Sequence, residues 1–255
     1  ALIGPLAGRA RALTPRGAWA AALTGGLLYG LGGLPWAALL LAFFLSSSAL
    51  SRLFGRRKQA LAEKFSKGAQ RDWAQVAANG GLGVLCVIFQ ALQPEQVLPW
   101  VAFAGSMAAV TADTWATELG VLSRPAPRLI TTGQPVERGT SGGLTPLGTA
   151  ASLAGAAFIG LGFAAFTPGS GLLALGSATL GGMAGSLFDS TLGATVQAIY
   201  WCPACEKETE RHPLHTCGAP THRLRGWGWF DNDLVNLAAA LTGALTTLGI
   251  WFLFR

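Results

Sequence analysis

Charged side chains are scarce in this chain of 255 residues. Asp, Glu, Lys and Arg together supply 12% of it, about half of the share found in soluble domains, and 51% of the residues are hydrophobic. The charges lie in short blocks between long apolar runs. This pattern excludes a soluble globular domain and predicts an all-α, polytopic membrane protein, since a run of about 20 apolar residues spans a bilayer as a helix. The short alternating segments that a transmembrane β-barrel needs are absent.

Cysteine is also scarce, with 4 residues, and several common functional signatures are missing. The chain has no His-Glu-x-x-His segment, no Gly-x-x-x-x-Gly-Lys-Ser/Thr segment and no Gly-x-Gly-x-x-Gly after a predicted strand. The classes of enzyme that depend on these segments therefore have no support. No cleavable signal peptide is predicted.

The apolar runs predict about seven transmembrane helices in one integral membrane domain, 1–255. The spans are expected at about 18–33, 34–50, 73–92, 97–121, 142–166, 171–200 and 234–254. With this count, 17 of the 18 Lys and Arg residues fall on one side of the membrane and only Arg255 on the other. The positive-inside rule then predicts a cytoplasmic N-terminus, cytoplasmic catalytic loops and an outside C-terminus. We therefore attribute the net charge of +6 to orientation in the membrane rather than to a nucleic-acid-binding surface.

Three acids lie within apolar runs. Asp113 and Glu118 come near the end of the fourth predicted span, and Asp189 lies inside the sixth. A charge at membrane depth costs at least ~2.5 kcal/mol, so such groups normally face a metal, a cation or a polar cavity. Asp113 and Glu118 are roughly 140° apart around an ideal helix, so either the helix is broken there or the two residues have different roles. The alternative is a helix end with solvated carboxylates.

Further polar residues lie near the predicted ends of spans. Asp72, Gln75 and Asn79 share one helical face, and the alternative to a binding role is a helix cap with one interhelical hydrogen bond. Asn232 and Asn236 share a face of the last span. The segment Gly139–Gly143 sets glycines beside hydroxyls, and such a turn can present N–H groups to phosphate or simply start a helix.

A cytoplasmic loop at 201–231 is predicted to carry a zinc-ribbon-like insert. Cys202, Cys205 and Cys217 have partial zinc-ribbon spacing, and the fourth ligand would be His212 or His215. A second Cys-x-x-Cys is missing, so a structural zinc site and free thiols are both open alternatives. A disulfide does not suit a cytoplasmic loop.

Four segments together resemble the transmembrane-protein-19 family, which includes CTP-dependent phytyl-phosphate kinases. They are Ala112–Gly120, Arg138–Gly143, Gly185–Gln197 and Asn232–Asn236, and Arg71–Gly81 fits the same pattern. Ser141 stands where Asn is expected in that family. The resemblance covers roughly residues 14 to 254 of the chain.

The resemblance implies a membrane kinase that moves a phosphoryl group from CTP to an isoprenoid monophosphate of the phytyl or geranylgeranyl type, giving the diphosphate. It implies Asp113, Glu118 and Asp189 as catalytic residues that bind Mg²⁺. No dedicated general base is needed, because a phosphate monoester is largely dianionic near neutral pH. The predicted substrate- or nucleotide-binding residues are Arg71, Asp72, Asn79, Thr114, Arg138, Gly139, Thr140, Ser141, Gly142, Ser190, Gln197, Asn232, Asp233 and Asn236.

Two other functions use similar parts. A cytidylyltransferase would make a CDP-linked lipid and release pyrophosphate. A membrane transporter would also have intramembrane acids and glycines. The absence of a visible inverted repeat, and the gathering of polar motifs on one predicted face, favour the kinase over the transporter. The predicted partners are CTP, an isoprenoid phosphate and the membrane, with no nucleic acid.

Overall fold

The computed structural model describes residues 13–58 and 70–255, without the side chains of residues 55–58. The described chain is a helical bundle whose helices are α1 (Pro15–Lys58), α2 (Trp73–Leu92), α3 (Leu98–Gly120), α4 (Pro146–Ala165), α5 (Gly171–Thr195) and α6 (Asn232–Phe254). Strands β1 (Arg128–Leu129) and β2 (Gly143–Leu144) pair, and β3 (Ile199–Cys202), β4 (Lys207–Thr209) and β5 (His222–Arg225) form an antiparallel sheet in the order β4-β3-β5. Four cations counted in the predicted charge asymmetry lie outside the described residues: Arg9, Arg11, Lys64 and Lys67.

Helix α1 folds back on itself at Gly33. This residue has φ +74° and ψ −160°, and Pro35 follows it. A Cβ added to Gly25 would lie 3.7 Å from Leu40 Cδ2, whereas a straight helix would separate these positions by about 22 Å. The predicted turn between the first two spans is therefore present, and it lies within α1.

Within residues 13–58 and 70–255, five helical stretches are long and apolar enough to cross a membrane. They are Pro15–Phe54, Trp73–Leu92, Pro146–Ala165, Gly171–Thr195 and Asn232–Phe254. Helix α3 is not one of them. It is the central helix, buried at nearly every position from Pro99 to Ala112 by the helices around it. The count of seven crossings stays a prediction.

Glycines let the central helices approach closely. A Cβ on Gly105 of α3 or on Gly181 of α5 would collide with Thr247 of α6. Thr247 is fully buried, and its hydroxyl donates to the Gly243 carbonyl at 2.8 Å. Small residues at these positions bring three backbones together, as expected for membrane helices.

The helices run alternately up and down, so polar residues collect at one end of the bundle. At that end Thr14 N donates to Arg71 O at 3.0 Å, and Ser51 Oγ donates to Glu118 Oε1 at 2.9 Å. At the opposite end Trp100 Nε1 donates to Thr167 Oγ1 at 3.2 Å. The starts of α2, α4 and α6 and the ends of α3 and α5 therefore share one end.

Two predicted span boundaries are wrong. The span predicted at 171–200 ends as a helix at Thr195, because Ala198 N donates to Phe230 O and the chain enters strand β3. The span predicted at 142–166 begins at Pro146, because Gly142 has φ +83° and the next residues pair with β1. Both corrections assign residues that were predicted to lie in membrane spans to the polar end of the bundle.

Candidate functional site

A polar cavity of about 380 Å³ lies at this end of the bundle. Residues from α1, α2, α3, α4, α5, α6 and the Gly139–Gly143 segment line it. It brings together most of the predicted site: Arg71, Asn79, Asp113, Thr114, Glu118, Arg138, Gly139, Thr140, Ser141, Gly142, Asp189, Ser190, Asn232 and Asn236.

Three predicted binding residues do not line the cavity. Asp72 is the N-cap of α2: its Oδ1 accepts from Gln75 N at 2.9 Å, and the Gln75 side chain accepts from Asp72 N, a capping box. Asp233 lies in the first turn of α6, beside the cap residue Asp231. Gln197 is buried one layer behind the cavity wall, where its side chain bonds to two lining residues, Ser141 and Glu210.

Glu118 faces one wall of the cavity together with Arg71. Its Oε1 accepts from Ser51, and its charge attracts the Arg71 guanidinium. Burial lowers the pKa of Arg71 from its ordinary value, and the Glu118 charge opposes that shift. Arg71 also donates to Ser48 Oγ at 3.2 Å and lies 5.5 Å from the centroid of the Phe43 ring. This cation is held in place on a polar and aromatic support.

Asp189 lies on the other wall, in a cluster of negative charge. Its Oδ2 atom is buried, and no hydrogen-bond partner for that atom occurs among the described residues. The charges of Asp113 and Glu210 both act on this carboxyl group. A cation stabilises carboxylates that repel one another in a partly buried site, and oxygen ligands of this kind suit Mg²⁺. The residues present therefore fit a divalent cation.

The Gly139–Gly143 segment forms part of the cavity wall. Gly139 and Gly142 have φ +82° and +83°, and a Cβ on Gly142 would also collide with Ala194 of α5. Arg138 anchors the segment by donating to Val121 O and Arg124 O, both at 3.0 Å. The glycines thus serve a left-handed turn packed tightly against α5.

The same loop that follows α5 forms a second cluster, built from thiols and an imidazole. The ligand atoms of Cys202, Cys205, His215 and Cys217 all lie within 4.8 Å of one another. Cys202 and Cys217 Sγ are 3.7 Å apart, Cys205 Sγ and His215 Nδ1 3.5 Å, and His215 Nδ1 and Cys217 Sγ 3.3 Å. Zn–S bonds of about 2.3 Å at tetrahedral angles would place sulfur atoms about 3.8 Å apart. The cluster is a Cys3His site of a size that suits a tetrahedral metal.

His212 is not part of this cluster. Its ring stacks on Tyr200 with centroids 4.5 Å apart, so the choice between the two predicted histidines falls on His215. A hydrogen bond with the Ala219 backbone, followed by one with His215, lowers the pKa of the Cys217 thiol to about 6. A hydrogen bond with Cys217 raises the pKa of Cys205 to about 11. Without a bound metal, Cys217 is therefore more readily deprotonated to a thiolate than Cys205.

Comparison with known proteins places the chain in a family. The family described as integral membrane protein DUF92 matches residues 1–244. The chain belongs to this family. Protein PGR of Arabidopsis thaliana is 35% identical over 246 residues, which cover 87% of this chain and 84% of that protein. An uncharacterised membrane protein of Methanocaldococcus jannaschii is 37% identical over 186 residues, covering 73% and 75% of the two chains.

A third relative is an uncharacterised membrane protein of Synechocystis, 29% identical over 232 residues, which cover 86% of this chain and 78% of that protein. No solved structure matches the chain. These names assign no activity, so the resemblance to phytyl-phosphate kinases stays a prediction. Membership of DUF92 does confirm that the chain is an integral membrane protein.

One segment of this DUF92 protein has the spacing of a hydrolase motif. Gly139-Thr140-Ser141-Gly142-Gly143 fits Gly-x-Ser-x-Gly. A serine nucleophile needs a neighbouring base, but the Ser141 hydroxyl donates to Gln197 Oε1. All three histidines lie in the loop between α5 and α6, and none lines the cavity. The segment also lacks the strand-to-helix elbow of those enzymes. Covalent hydrolysis is therefore not supported.

Sequence reasoning missed one acid of the cavity. Glu210 follows β4 in the loop that carries the cysteines, yet it lines the cavity beside the membrane helices. Nothing in the local sequence distinguishes it from its neighbours Glu206 and Glu208. Strand β3 starts shortly after α5, and β4 pairs with it. Only this pairing brings Glu210 back to the cavity end of the bundle.

Proposed function

We propose that this DUF92 protein is a CTP-dependent kinase that converts an isoprenoid monophosphate to its diphosphate at the membrane surface. The observation that supports this best is the combination in one cavity of acids suited to a divalent cation and of two guanidinium groups, Arg71 and Arg138. Both reactants are polyanions, so transfer depends on neutralising and aligning phosphates more than on a covalent step.

In this proposal the two walls have separate tasks. Asp113 and Asp189 would hold Mg²⁺, with Glu118 as the third predicted ligand. The metal supplies charge neutralisation and alignment of the transferred phosphoryl group. Arg71, fixed by Ser48 and Glu118, and Arg138 at the turn balance the phosphates of donor and acceptor. Thr140 N and Gly143 N donate to backbone carbonyls, so a phosphate group contacts the other backbone N–H groups of the Gly139–Gly143 turn.

The acceptor is proposed to reach this cavity from within the bilayer. A second hollow, of about 560 Å³, adjoins the cavity and shares four lining residues with it: Leu144, Thr145, Thr149 and Met183. Leu153, which is half exposed, continues that hollow along α4. An isoprenoid tail can lie there while its phosphate stays among the cations of the cavity.

The topology belongs to the same proposal. Seven crossings, with α1 contributing two and α3 one, put the cavity on the cytoplasmic side, where CTP is present. The described cations Arg71, Arg124, Arg128 and Arg138 agree with that orientation, since all four lie at the cavity end. The Cys3His cluster is proposed to hold one structural Zn²⁺, because four closed N and S ligands leave no position for a substrate.

The assay uses protein purified in nanodiscs, with CTP labelled at the γ-phosphate and a series of prenyl phosphates. Label in a prenyl diphosphate with release of unlabelled CDP supports the kinase. Label in pyrophosphate, with cytosine retained on the lipid, would establish the cytidylyltransferase instead. No transfer to any prenyl phosphate, together with passage of a solute across the bilayer, would establish the transporter.

A further inference from the structure

Glu210 joins two parts of the molecule that otherwise have separate chemistry. It lines the polar cavity, yet it directly follows strand β4 in the same loop region that carries the Cys3His cluster. Cys202 pairs with Lys207 at one end of the β3–β4 hairpin, and Tyr200 pairs with Thr209 at the other. At about 3.3 Å per residue, Glu210 lies roughly 16 Å along the chain from Cys205. The metal-ligand cluster and the cavity therefore occupy opposite ends of one short hairpin.

The position of Glu210 is fixed by its neighbours. Gln197 Nε2 donates to Glu210 Oε1 at 3.0 Å, while Gln197 Oε1 accepts from Ser141 of the cavity turn. Gln197 is 1% exposed, so this amide is a buried link between the two segments. On the other side, Arg211 O accepts from Thr221 Oγ1 at 3.0 Å, which ties the end of β4 to the chain before β5.

Strand β5 adds a second link to the cavity wall. Arg225 donates to Gly193 O of α5 at 2.6 Å and to Ser141 O at 3.4 Å. The sheet is thus bonded to the cavity turn through Gln197 and through Arg225. Any loss of order in the hairpin would be transmitted to Glu210 and to Ser141.

We propose that Glu210 is a ligand of the cavity cation, completing a set with Asp113 and Asp189, and that the metal-loaded Cys3His cluster holds it there. The independent observation is Asp189 Oδ2, which is buried without a hydrogen-bond partner among the described residues while the charges of Asp113 and Glu210 act on it. A cation bound between these carboxylates relieves their mutual repulsion and supplies a partner for the Asp189 oxygen. The inference rests on the proposed function only for the identity of the phosphate compounds that the cation contacts. The binding of the cation itself does not depend on the proposed function.

This assignment separates Glu210 from Glu118. Glu118 accepts from Ser51 and is attracted to Arg71, so a cation of the chain already acts on its charge. Glu210 adds negative charge to a wall where Asp113 and Asp189 already lie. Removing Glu210 should therefore weaken cation binding more than removing Glu118 does.

The test measures Mn²⁺ binding to full-length protein in nanodiscs by electron paramagnetic resonance, without nucleotide. Glu210→Gln should lower Mn²⁺ affinity at least about tenfold, since even outer-shell partners of a metal usually contribute that much. Glu206→Gln is the matched control, because it removes the same charge from an exposed position of the same hairpin. Wild-type affinity in Glu210→Gln would overturn the proposal.

The role of the Cys3His cluster is tested by combining variants. Cys217→Ser should weaken Mn²⁺ binding in the wild-type background and add little in the Glu210→Gln background, because both act through one carboxylate. Cys217→His, which keeps four ligand atoms, should restore the affinity. Equal losses in both backgrounds would show general destabilisation and overturn the positioning role. If Cys217→Ser fails to fold, the same comparison is made on wild-type and Glu210→Gln protein stripped of metal with a chelator.

These results are independent of the kinase assay. If no phosphoryl transfer is found but Mn²⁺ affinity depends on Glu210, the proposed function fails and the cation site stands. If transfer occurs and Glu210→Gln binds Mn²⁺ normally, the kinase stands and the role of Glu210 is refuted.

Discussion

Replacing Asp189 with asparagine gives the most direct test of the acidic wall. The carboxamide has nearly the same shape as the carboxyl group, so the packing of α5 should persist. The change removes one negative charge from a wall where Asp113 and Glu210 also lie. It also removes the buried Oδ2 atom that has no hydrogen-bond partner among the described residues. Asp189→Asn should therefore lose cation binding without losing the fold.

The expected size follows from linkage. A cation at 100 times its dissociation constant stabilises the folded state by about 2.7 kcal/mol. For a chain of this size each kcal/mol raises Tm by 2–4 °C, so Mg²⁺ should raise the Tm of the wild type by roughly 5–10 °C. Without Mg²⁺ the variant should melt no lower than the wild type, because the substitution removes one of the like charges that repel one another on this wall.

Thermal unfolding in detergent, with and without Mg²⁺, measures both quantities, and turnover of γ-labelled CTP measures activity. We expect Asp189→Asn to lose the Mg²⁺-dependent rise in Tm and to lower kcat about a hundredfold or more. Asp231→Asn is the control: this exposed residue caps α6 by accepting from Asp233 N and Leu234 N, and asparagine caps equally well. Full Mg²⁺ stabilisation in Asp189→Asn would refute the assignment of this wall to a cation.

Three further predictions concern other parts of the molecule. Ser170→Cys, at the end opposite the cavity, should react with a membrane-impermeant maleimide only from outside sealed vesicles, and labelling from the cytoplasmic side alone would reverse the orientation. Protein purified without chelators should contain about one Zn²⁺ per chain. After removal of the metal, Cys217 should be the cysteine that is alkylated fastest at pH 7. The alkylation rate should fall as the pH drops through about 6, because the lowered pKa of Cys217 leaves a thiolate only above that value. Gly142→Ala should lower Tm by several degrees, since φ is +83° and the added Cβ meets Ala194, whereas Gly133→Ala, also at positive φ but in open space, should lower it less.

The acids of the site were predictable because the membrane makes them costly. Asp113, Glu118 and Asp189 are conspicuous in apolar runs, and all three line the cavity. The same reasoning failed for Asp72, because a capping carboxylate and a binding carboxylate look alike in a sequence. The structure resolves the difference through the bond from Gln75 N to Asp72 Oδ1.

The residues that were missed or misassigned depend on contacts distant in sequence. Glu210 reaches the cavity only through the register of β4 on β3. The sequence did not predict that pairing, because it suggested a membrane helix as far as residue 200, where β3 has already begun. Gln197 lies within the span predicted at 171–200, but the helix ends at Thr195 and the Gln197 side chain donates to Glu210. Local periodicity cannot show where a helix yields to a strand that pairs with later residues.

The charges that line the cavity lead to a last prediction about metal stoichiometry. Four carboxylates, those of Asp113, Glu118, Asp189 and Glu210, face two guanidinium groups, those of Arg71 and Arg138. A nucleoside triphosphate adds about four negative charges and the acceptor phosphate about two. One Mg²⁺ carried in by CTP leaves this assembly strongly negative, so we expect a second divalent cation between the acidic wall and the phosphates, as in other two-metal phosphoryl-transfer sites.

The rate at saturating, constant Mg²⁺–CTP should therefore rise with free Mg²⁺. In Glu210→Gln, the concentration of free Mg²⁺ needed for the half-maximal rate should increase at least about tenfold. A rate that depends only on the concentration of the Mg²⁺–CTP complex would show that the basic loops, rather than a second cation, balance these charges.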